Sequence, residues 1–309
     1  MNKKIVFMGT SDFAVPILKS LYQNGFPVSA VYTQPPKKSN RGQKITKSPI
    51  HIFSETLSYE VRTPVTLKNN FEEEKFLKTL NPDLIVVVAY GHIIPKDLLS
   101  ISKNGFINIH ASKLPKWRGA APIQRSLMNQ ERETGVSIIK INENLDEGPV
   151  YDIFSTKIKD NENAKDLSIR LASIASEKIL NCLEDIFDNK AVFQEQDHNS
   201  ASYANKIDKS EGKILWEENA KKILGKINGL YPSPGAWFMF KNERYKILKA
   251  EFSNAKGKPG LILSENFEIG CKDFSIKILK IQREGRKVQN INQFTLGSEI
   301  KKGTDLNNA

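Results

Sequence analysis

Leu84-Ile85-Val86-Val87-Val88-Ala89-Tyr90 is the longest apolar run in the chain. It has the length of a strand and falls far short of the roughly 18 apolar residues that cross a bilayer. Apolar side chains at every position, rather than at alternate ones, mark a strand buried on both faces, as in the middle of a parallel sheet. Upstream, Ile5-Val6-Phe7-Met8 has the same character and breaks at Gly9-Thr10-Ser11-Asp12. A helix is expected from there through Leu21, with Pro16 tolerable only in the first turn, where amides are unpaired anyway. Residues 28–33, 107–110 and 135–141 read as further strands. Residues 164–188 read as an amphipathic helix that Asp188-Asn189-Lys190 ends. Strands alternating with helices over the first 150 residues are the rhythm of βαβ units, and predict an α/β domain with a Rossmann-like parallel sheet.

Farther along, residues 190–207 are polar and aperiodic and read as a linker. A helix near 219–230 and the turn Tyr231-Pro232-Ser233-Pro234-Gly235 follow. Short β segments then recur at 236–240, 245–251, 260–263, 267–270 and 274–282, the spacing of a small barrel. The expected division is an α/β domain over residues 1–189, the linker over 190–207, and a β domain over 208–309.

The 309 residues carry a formal charge of +11. Residues 206–309 hold 20 basic and 12 acidic residues, net +8, and the first 205 hold 26 and 23, net +3. The excess therefore lies on the last third of the chain, the footprint of a surface that meets phosphates. Cys182 and Cys271 are 89 positions apart, a spacing that fits neither a metal knuckle nor a redox pair. Met1-Asn2-Lys3-Lys4 runs directly into a strand and resembles no export signal, so the cytoplasm is the expected compartment.

Chemistry concentrates in Gly105-Phe106-Ile107-Asn108-Ile109-His110-Ala111-Ser112-Lys113-Leu114-Pro115. Positions i and i+2 of a strand point the same way, so Asn108 and His110 project together, near a strand end where open α/β sheets bind ligands. The loop Asn142-Glu143-Asn144-Leu145-Asp146-Glu147-Gly148-Pro149 follows the next strand, which is expected to bring Asp146 to the same sheet edge as His110. A carboxylate beside an imidazole orients the ring and favours the imidazolium. Each residue alone has an ordinary structural reading, as a hydrogen-bonded core histidine or a turn former; the three together point to a site. The stretch 35–48 carries Lys37, Lys38, Arg41, Lys44 and Lys47 with no acid, and is expected to be a flexible basic loop at that edge, suited to a polyanion. No Gly-x-Gly-x-x-Gly, Gly-x-x-x-x-Gly-Lys, His-Glu-x-x-His or Gly-x-Ser-x-Gly motif occurs. This sets aside ordinary dehydrogenases, nucleotide triphosphatases, zincins and α/β-hydrolases.

With these residues assembled, the sequence resembles the folate-dependent formyltransferases, and among them the methionyl-tRNA formyltransferase branch, over nearly its whole length. The likeness is carried by Phe7-Met8-Gly9-Thr10-Ser11-Asp12-Phe13-Ala14, Tyr32-Thr33-Gln34-Pro35, Val86-Val87-Val88-Ala89-Tyr90-Gly91 and Asn108-Ile109-His110. Trp117-Arg118-Gly119-Ala120-Ala121-Pro122-Ile123-Gln124-Arg125-Ser126-Leu127, Glu133-Thr134-Gly135-Val136, Leu145-Asp146-Glu147-Gly148 and Ser233-Pro234-Gly235-Ala236-Trp237 add to it. The resemblance implies a formyltransferase domain followed by an OB-like β-barrel domain. It implies transfer of a formyl group from 10-formyltetrahydrofolate, without a metal, to the α-amino group of methionyl-initiator-tRNA for translation initiation. By position, Asn108, His110 and Asp146 match the catalytic trio. Ser112, Lys113, Leu114 and Pro115 match the folate-contacting turn, with Lys113 in place of the usual Leu, and Lys37, Lys38, Arg41, Lys44 and Lys47 fall in the tRNA-binding insertion. A monomer without membrane association is expected. The nearest alternative is another folate formyltransferase or a 10-formyltetrahydrofolate hydrolase acting on a small amine or sugar nucleotide. A non-catalytic RNA-binding protein is a third reading, distinguished by RNA affinity without folate affinity.

Overall fold

The computed structural model describes residues 3–39 and 44–307. In chain order the elements are β1 (Ile5–Gly9), α1 (Val15–Gln23), β2 (Val28–Tyr32), β3 (Lys37–Ser39), β4 (Lys44–Thr46), α2 (Pro49–Thr56), β5 (Val61–Arg62), α3 (Phe71–Leu80), β6 (Leu84–Val88), β7 (Phe106–His110) and α4 (Pro122–Met128). They continue with β8 (Glu133–Lys140), β9 (Val150–Lys157), α5 (Ala164–Phe187), α6 (Ala220–Gly229), β10 (Ala236–Phe240), β11 (Glu243–Ser253), β12 (Glu268–Gly270), β13 (Ser275–Arg283), β14 (Gln289–Asn290) and α7 (Ile291–Gly297). Two compact units result, one of residues 1–119, 135–156 and 168–203, the other of 120–134, 157–167 and 204–309. No helix among the described residues is long and apolar enough to cross a membrane.

The first unit is built on a seven-stranded sheet in the order β5-β2-β1-β6-β7-β8-β9. β1 and β6 lie at its centre and every residue of both is buried, as their unbroken apolar runs require. β5, β2, β1, β6 and β7 are mutually parallel. Pro16 sits in the first turn of α1, where it removes no helical bond. One face of the sheet carries Val6, Met8, Ala30, Tyr32, Ile85, Val87 and Phe106, packed with Leu77 of α3. β8 departs from the all-parallel expectation and runs antiparallel to β7, with Ile107 opposite Lys140 and His110 opposite Ser137. The connection between them contains a helix, α4, which belongs to the second unit.

The described residues on either side of 40–43 are paired, which a flexible loop is not. Lys37 pairs with Thr46 and Lys38 with Ile45 in a two-stranded antiparallel ribbon, whose ladder satisfies backbone groups that an open loop would leave to water. Arg41 lies outside the described residues.

In the second unit, β10-β11-β13-β12 form an antiparallel, OB-like half-barrel, with β14 added beside β13. Residues 260–263 contribute only isolated bridges, Leu261 to Asp305 and Ile262 to Ile269, rather than a full strand. Trp216, Ile223, Ile227, Phe238, Tyr245, Ile247, Ile278 and Phe294 fill its core, and Phe238 stacks on Tyr245. Ile300 and Leu306, from the last ten residues of the chain, complete that core. α6 packs closely on α4: a Cβ at Gly225 would stand 2.9 Å from the Leu127 carbonyl oxygen. Arg125 grips Glu211 with two guanidinium nitrogens, at 2.5 and 3.0 Å, and donates to the Asn205 carbonyl.

Candidate active site

Ile85 of β6 pairs with Phe106 of β7 and Val87 with Asn108. Phe106 is buried in the apolar cluster with Ile85 and Val87, and Asn108 and His110 continue its row on the same face. The row thus changes from apolar to polar as it approaches the carboxyl end of the parallel strands. That is where an open α/β sheet offers a crevice.

Asp146 reaches these two residues by an unexpected route. Because β8 is antiparallel, its loop leaves beside Phe106, with the Ile141 amide donating to the Phe106 carbonyl at 2.9 Å, and not beside His110. The loop then folds back across the face. Gly148 permits this: a Cβ there would lie 1.8 Å from the Lys140 carbonyl oxygen. Asp146 itself has φ of +54°, a left-handed conformation that Asp tolerates better than most residues.

The three side chains meet. Asn108 Nδ2 donates to Asp146 Oδ1 at 3.1 Å, an assignment the carboxylate enforces because it only accepts. Asp146 Oδ2 takes the Gly119 amide at 2.8 Å and lies 3.5 Å from His110 Nδ1. His110 Nε2 is 2.8 Å from the Trp117 carbonyl, which also only accepts, so Nε2 keeps its proton and donates. Nδ1 then meets the carboxylate as a donor only when the ring carries a second proton. His110 is 6% exposed and Asp146 12% by side chain, whereas Asn108 is only half-buried. One N–H of the Asn108 amide is committed to Asp146, and the amide has a second to offer.

The turn after β7 is held from within. Ser112 is fully buried, with its hydroxyl donating to the Lys116 carbonyl at 2.6 Å. The Ser137 hydroxyl donates to the Ser112 carbonyl at 2.7 Å and accepts the Leu114 amide at 3.0 Å. Leu114 packs with Ile139 and Val150. Ser112 and Leu114 therefore shape the turn, and Lys113 and Pro115 are its half-exposed members.

The basic ribbon is anchored at the same sheet edge. Gln34 Nε2 donates to the Gly91 carbonyl at 2.9 Å, Lys37 donates to Gln34 Oε1, and the Thr10 hydroxyl donates to the Tyr90 carbonyl at 2.7 Å. The ends of β1, β2 and β6 are thereby tied together. Lys37 and Lys38 are exposed, Lys47 is ion-paired with Glu55 at 2.5 Å, and Lys44 supplies backbone to β4. Burial, and then the charge of Lys37, push the His92 imidazole below its ordinary range.

Sequence reading did not single out the groups around Asp146. Arg118 is 1% exposed and bonds to Glu147 Oε1 at 2.9 Å and to Gln196 Oε1. Gln196, within the supposed linker, donates to the carbonyls of Asp146 and Gly148. Arg118 was visible as part of the Trp-Arg-Gly motif; a lone Gln in a polar, aperiodic stretch carries no signal. Among the described residues no group of three or more His, Cys, Asp or Glu is placed to hold a metal ion.

An amide, an imidazole and a carboxylate converge on one face of the α/β sheet, and the chain belongs to the formyl transferase family. It matches the formyl transferase model over residues 3–183 and the formyl transferase C-terminal domain model over 206–299. The methionyl-tRNA formyltransferase of Pelagibacter ubique (strain HTCC1062) is 62% identical over 309 residues, the full length of both chains. That of Caulobacter vibrioides (strain NA1000 / CB15N) is 41% identical, covering 98% of this chain and 99% of the relative. Among solved structures, the sugar 3N-formyl transferase WlaRD, crystallised with dTDP and 5-N-formyl-THF, superposes with a TM-score of 0.70 at 22% identity, over 93% of this chain and all of the other. The methionyl-tRNA formyltransferase of Clostridium thermocellum superposes at 0.56 with 19% identity, over 82% and 95%. At these identities the two structures speak for the fold alone.

Proposed function

We propose that the chain transfers the formyl group of 10-formyltetrahydrofolate to the α-amino group of methionyl-initiator-tRNA, acting as a monomer in the cytoplasm. The observation that carries the chemistry is the convergence of Asn108, His110 and Asp146. The 62% identity over the full length to a methionyl-tRNA formyltransferase supports the choice of acceptor.

The folate donor, when bound, supplies the formyl carbon and a nitrogen leaving group. The surroundings fit a polar heteroaromatic molecule: Trp117 Nε1 and His92 Nε2 are buried polar atoms without a partner among the described residues. Lys113 and Pro115 are the members of the turn 112–115 exposed enough to line it, with Ser112 and Leu114 fixing its shape. As the methionyl amine adds to the formyl carbon, the remaining Asn108 N–H donates to the developing oxyanion; loss of one such donor raises a barrier by about 2.7–4 kcal/mol. His110, with Nε2 held by Trp117, takes up the amine proton at Nδ1, directly or through water, and passes it to the leaving nitrogen as the oxyanion collapses and the bond between that nitrogen and the formyl carbon breaks. Asp146 stabilises the imidazolium so formed and keeps the ring and the amide in register.

The ribbon lysines, with Arg41, are assigned to the acceptor stem. A cavity of 620 Å³ in the second unit, lined by Lys241, Arg283, Arg286 and Lys287 and by the acids Glu243 and Glu299, supports contact of that unit with the tRNA backbone. Labelled formyl transfer tests the reading. Purified protein with 10-formyltetrahydrofolate formylates methionyl-initiator-tRNA and leaves amino-sugar nucleotides untouched; the reverse preference overturns the proposed acceptor.

A further inference from the structure

We infer that Arg118 and Gln196 are positioning residues for formyl transfer, acting through the loop that carries Asp146; this rests on the roles proposed for Asn108, His110 and Asp146. Arg118 is the largest side chain fully removed from solvent. A buried guanidinium is a poor source of net stability, since desolvation offsets its attractions, but its rigid fork of donors is a strong source of geometry. Here Nε and Nη2 both donate to Gln196 Oε1, at 3.2 and 2.9 Å, and Nη1 donates to Glu147 Oε1 at 2.9 Å. Nη2 also approaches His198 Nδ1 at 3.3 Å.

Gln196, 7% exposed, passes this anchoring on. Its Nε2 donates to the Asp146 carbonyl at 2.8 Å and to the Gly148 carbonyl at 2.7 Å. Both carbonyls of Gln196's pair and the Glu147 side chain between them are thus held by one buried unit. Asp146 needs such restraint, because its left-handed φ of +54° is sparsely populated and persists only where its surroundings over-determine it. The same segment controls the other side of the carboxylate. The Arg118 amide donates to the Ser202 carbonyl at 2.8 Å, which fixes the next residue, Gly119, whose amide binds Asp146 Oδ2. The clamp therefore sets where Asp146 stands relative to His110 and Asn108 without itself touching either.

Steady-state formylation of charged tRNA by the full chain tests this with Gln196→Asn, which keeps the amide but withdraws it by one methylene, and with Arg118→Lys, which keeps the charge but loses the fork. Each is expected to lower kcat by about tenfold to a hundredfold, with KM for donor and tRNA changed less than about twofold. In an Asp146→Asn background the Gln196→Asn change should add less than about a threefold loss, because both act on one geometry. If Arg118→Lys does not fold, Gln196→Asn alone decides. A Gln196→Asn enzyme with unaltered kcat, or losses that multiply fully with Asp146→Asn, overturns the positioning role. An Asp146→Asn enzyme of wild-type rate overturns instead the site reading on which it rests.

Discussion

Tyr32, Arg62 and Glu73 show how single residues brace the outer strands β2 and β5 of the sheet. The Glu73 carboxylate is 7% exposed and accepts the Tyr32 hydroxyl at 2.7 Å and two Arg62 nitrogens at 2.6 and 3.0 Å, while the guanidinium lies 4.0 Å from the centre of the Phe76 ring. Without Glu73, Arg62 keeps Glu60 and Glu72 at 3.2 and 3.3 Å, while the buried Tyr32 hydroxyl loses its acceptor. Glu73→Ala is therefore expected to cost about 1–3 kcal/mol in urea unfolding, and a loss under about 0.5 kcal/mol shows that the network relaxes freely. His92 supplies a pH dependence. Burial and Lys37 hold its imidazole below the ordinary value of 6.5, so the folded chain binds fewer protons there than the unfolded chain. Its contribution is complete above about pH 6.5 and is lost as pH falls toward the depressed folded value. The urea midpoint should drop as pH falls below about 6.5, and drop less in His92→Gln; an equal fall in both removes His92 as the cause. At this scale the sequence was informative where residue type and strand phase sufficed, as for Asn108 and His110 at i and i+2. It was silent on Gln196, whose importance comes from two carbonyls about 50 positions away.

Among the elements, the loop 142–149 decides most. Its approach to Asn108 and His110 was legible as an outcome, but its path was not. The residues of β8 are buried at six consecutive positions, a pattern that fits a parallel or an antiparallel neighbour equally well. Its antiparallel pairing with β7 is a tertiary fact that no local period records. Gly148→Ala places a methyl group against the Lys140 carbonyl and should destabilise the fold by about 1–3 kcal/mol while lowering kcat, because the loop must shift. Unchanged stability and turnover show that the loop tolerates displacement. The ribbon β3–β4 makes a separate prediction through the exposed Lys38: Lys38→Ala should weaken tRNA binding and make its salt dependence shallower by roughly 0.7–0.9 in the logarithmic slope. An identical slope takes Lys38 out of the interface.

At the scale of the whole molecule, the two architectures were readable because they rest on periodicity. The doubly buried strands belong to the α/β sheet, and the short, regularly spaced strands to the OB-like half-barrel. α4 precedes β8 and β9 in sequence yet belongs to the second unit. The two cysteines are both buried and free, and burial raises both thiols, that of Cys271 to about 12. A folate donor that binds only the folded chain must raise its stability, by about 2.7 kcal/mol at a hundredfold excess over Kd. The measurement that bears most directly on the central claim is the single-turnover rate of formyl transfer to methionyl-initiator-tRNA by Asn108→Ala, with both substrates saturating. A fall of about a hundredfold to a thousandfold, with donor and tRNA binding intact, is the predicted result. A fall of less than about tenfold contradicts the assignment of the Asn108 amide to the oxyanion.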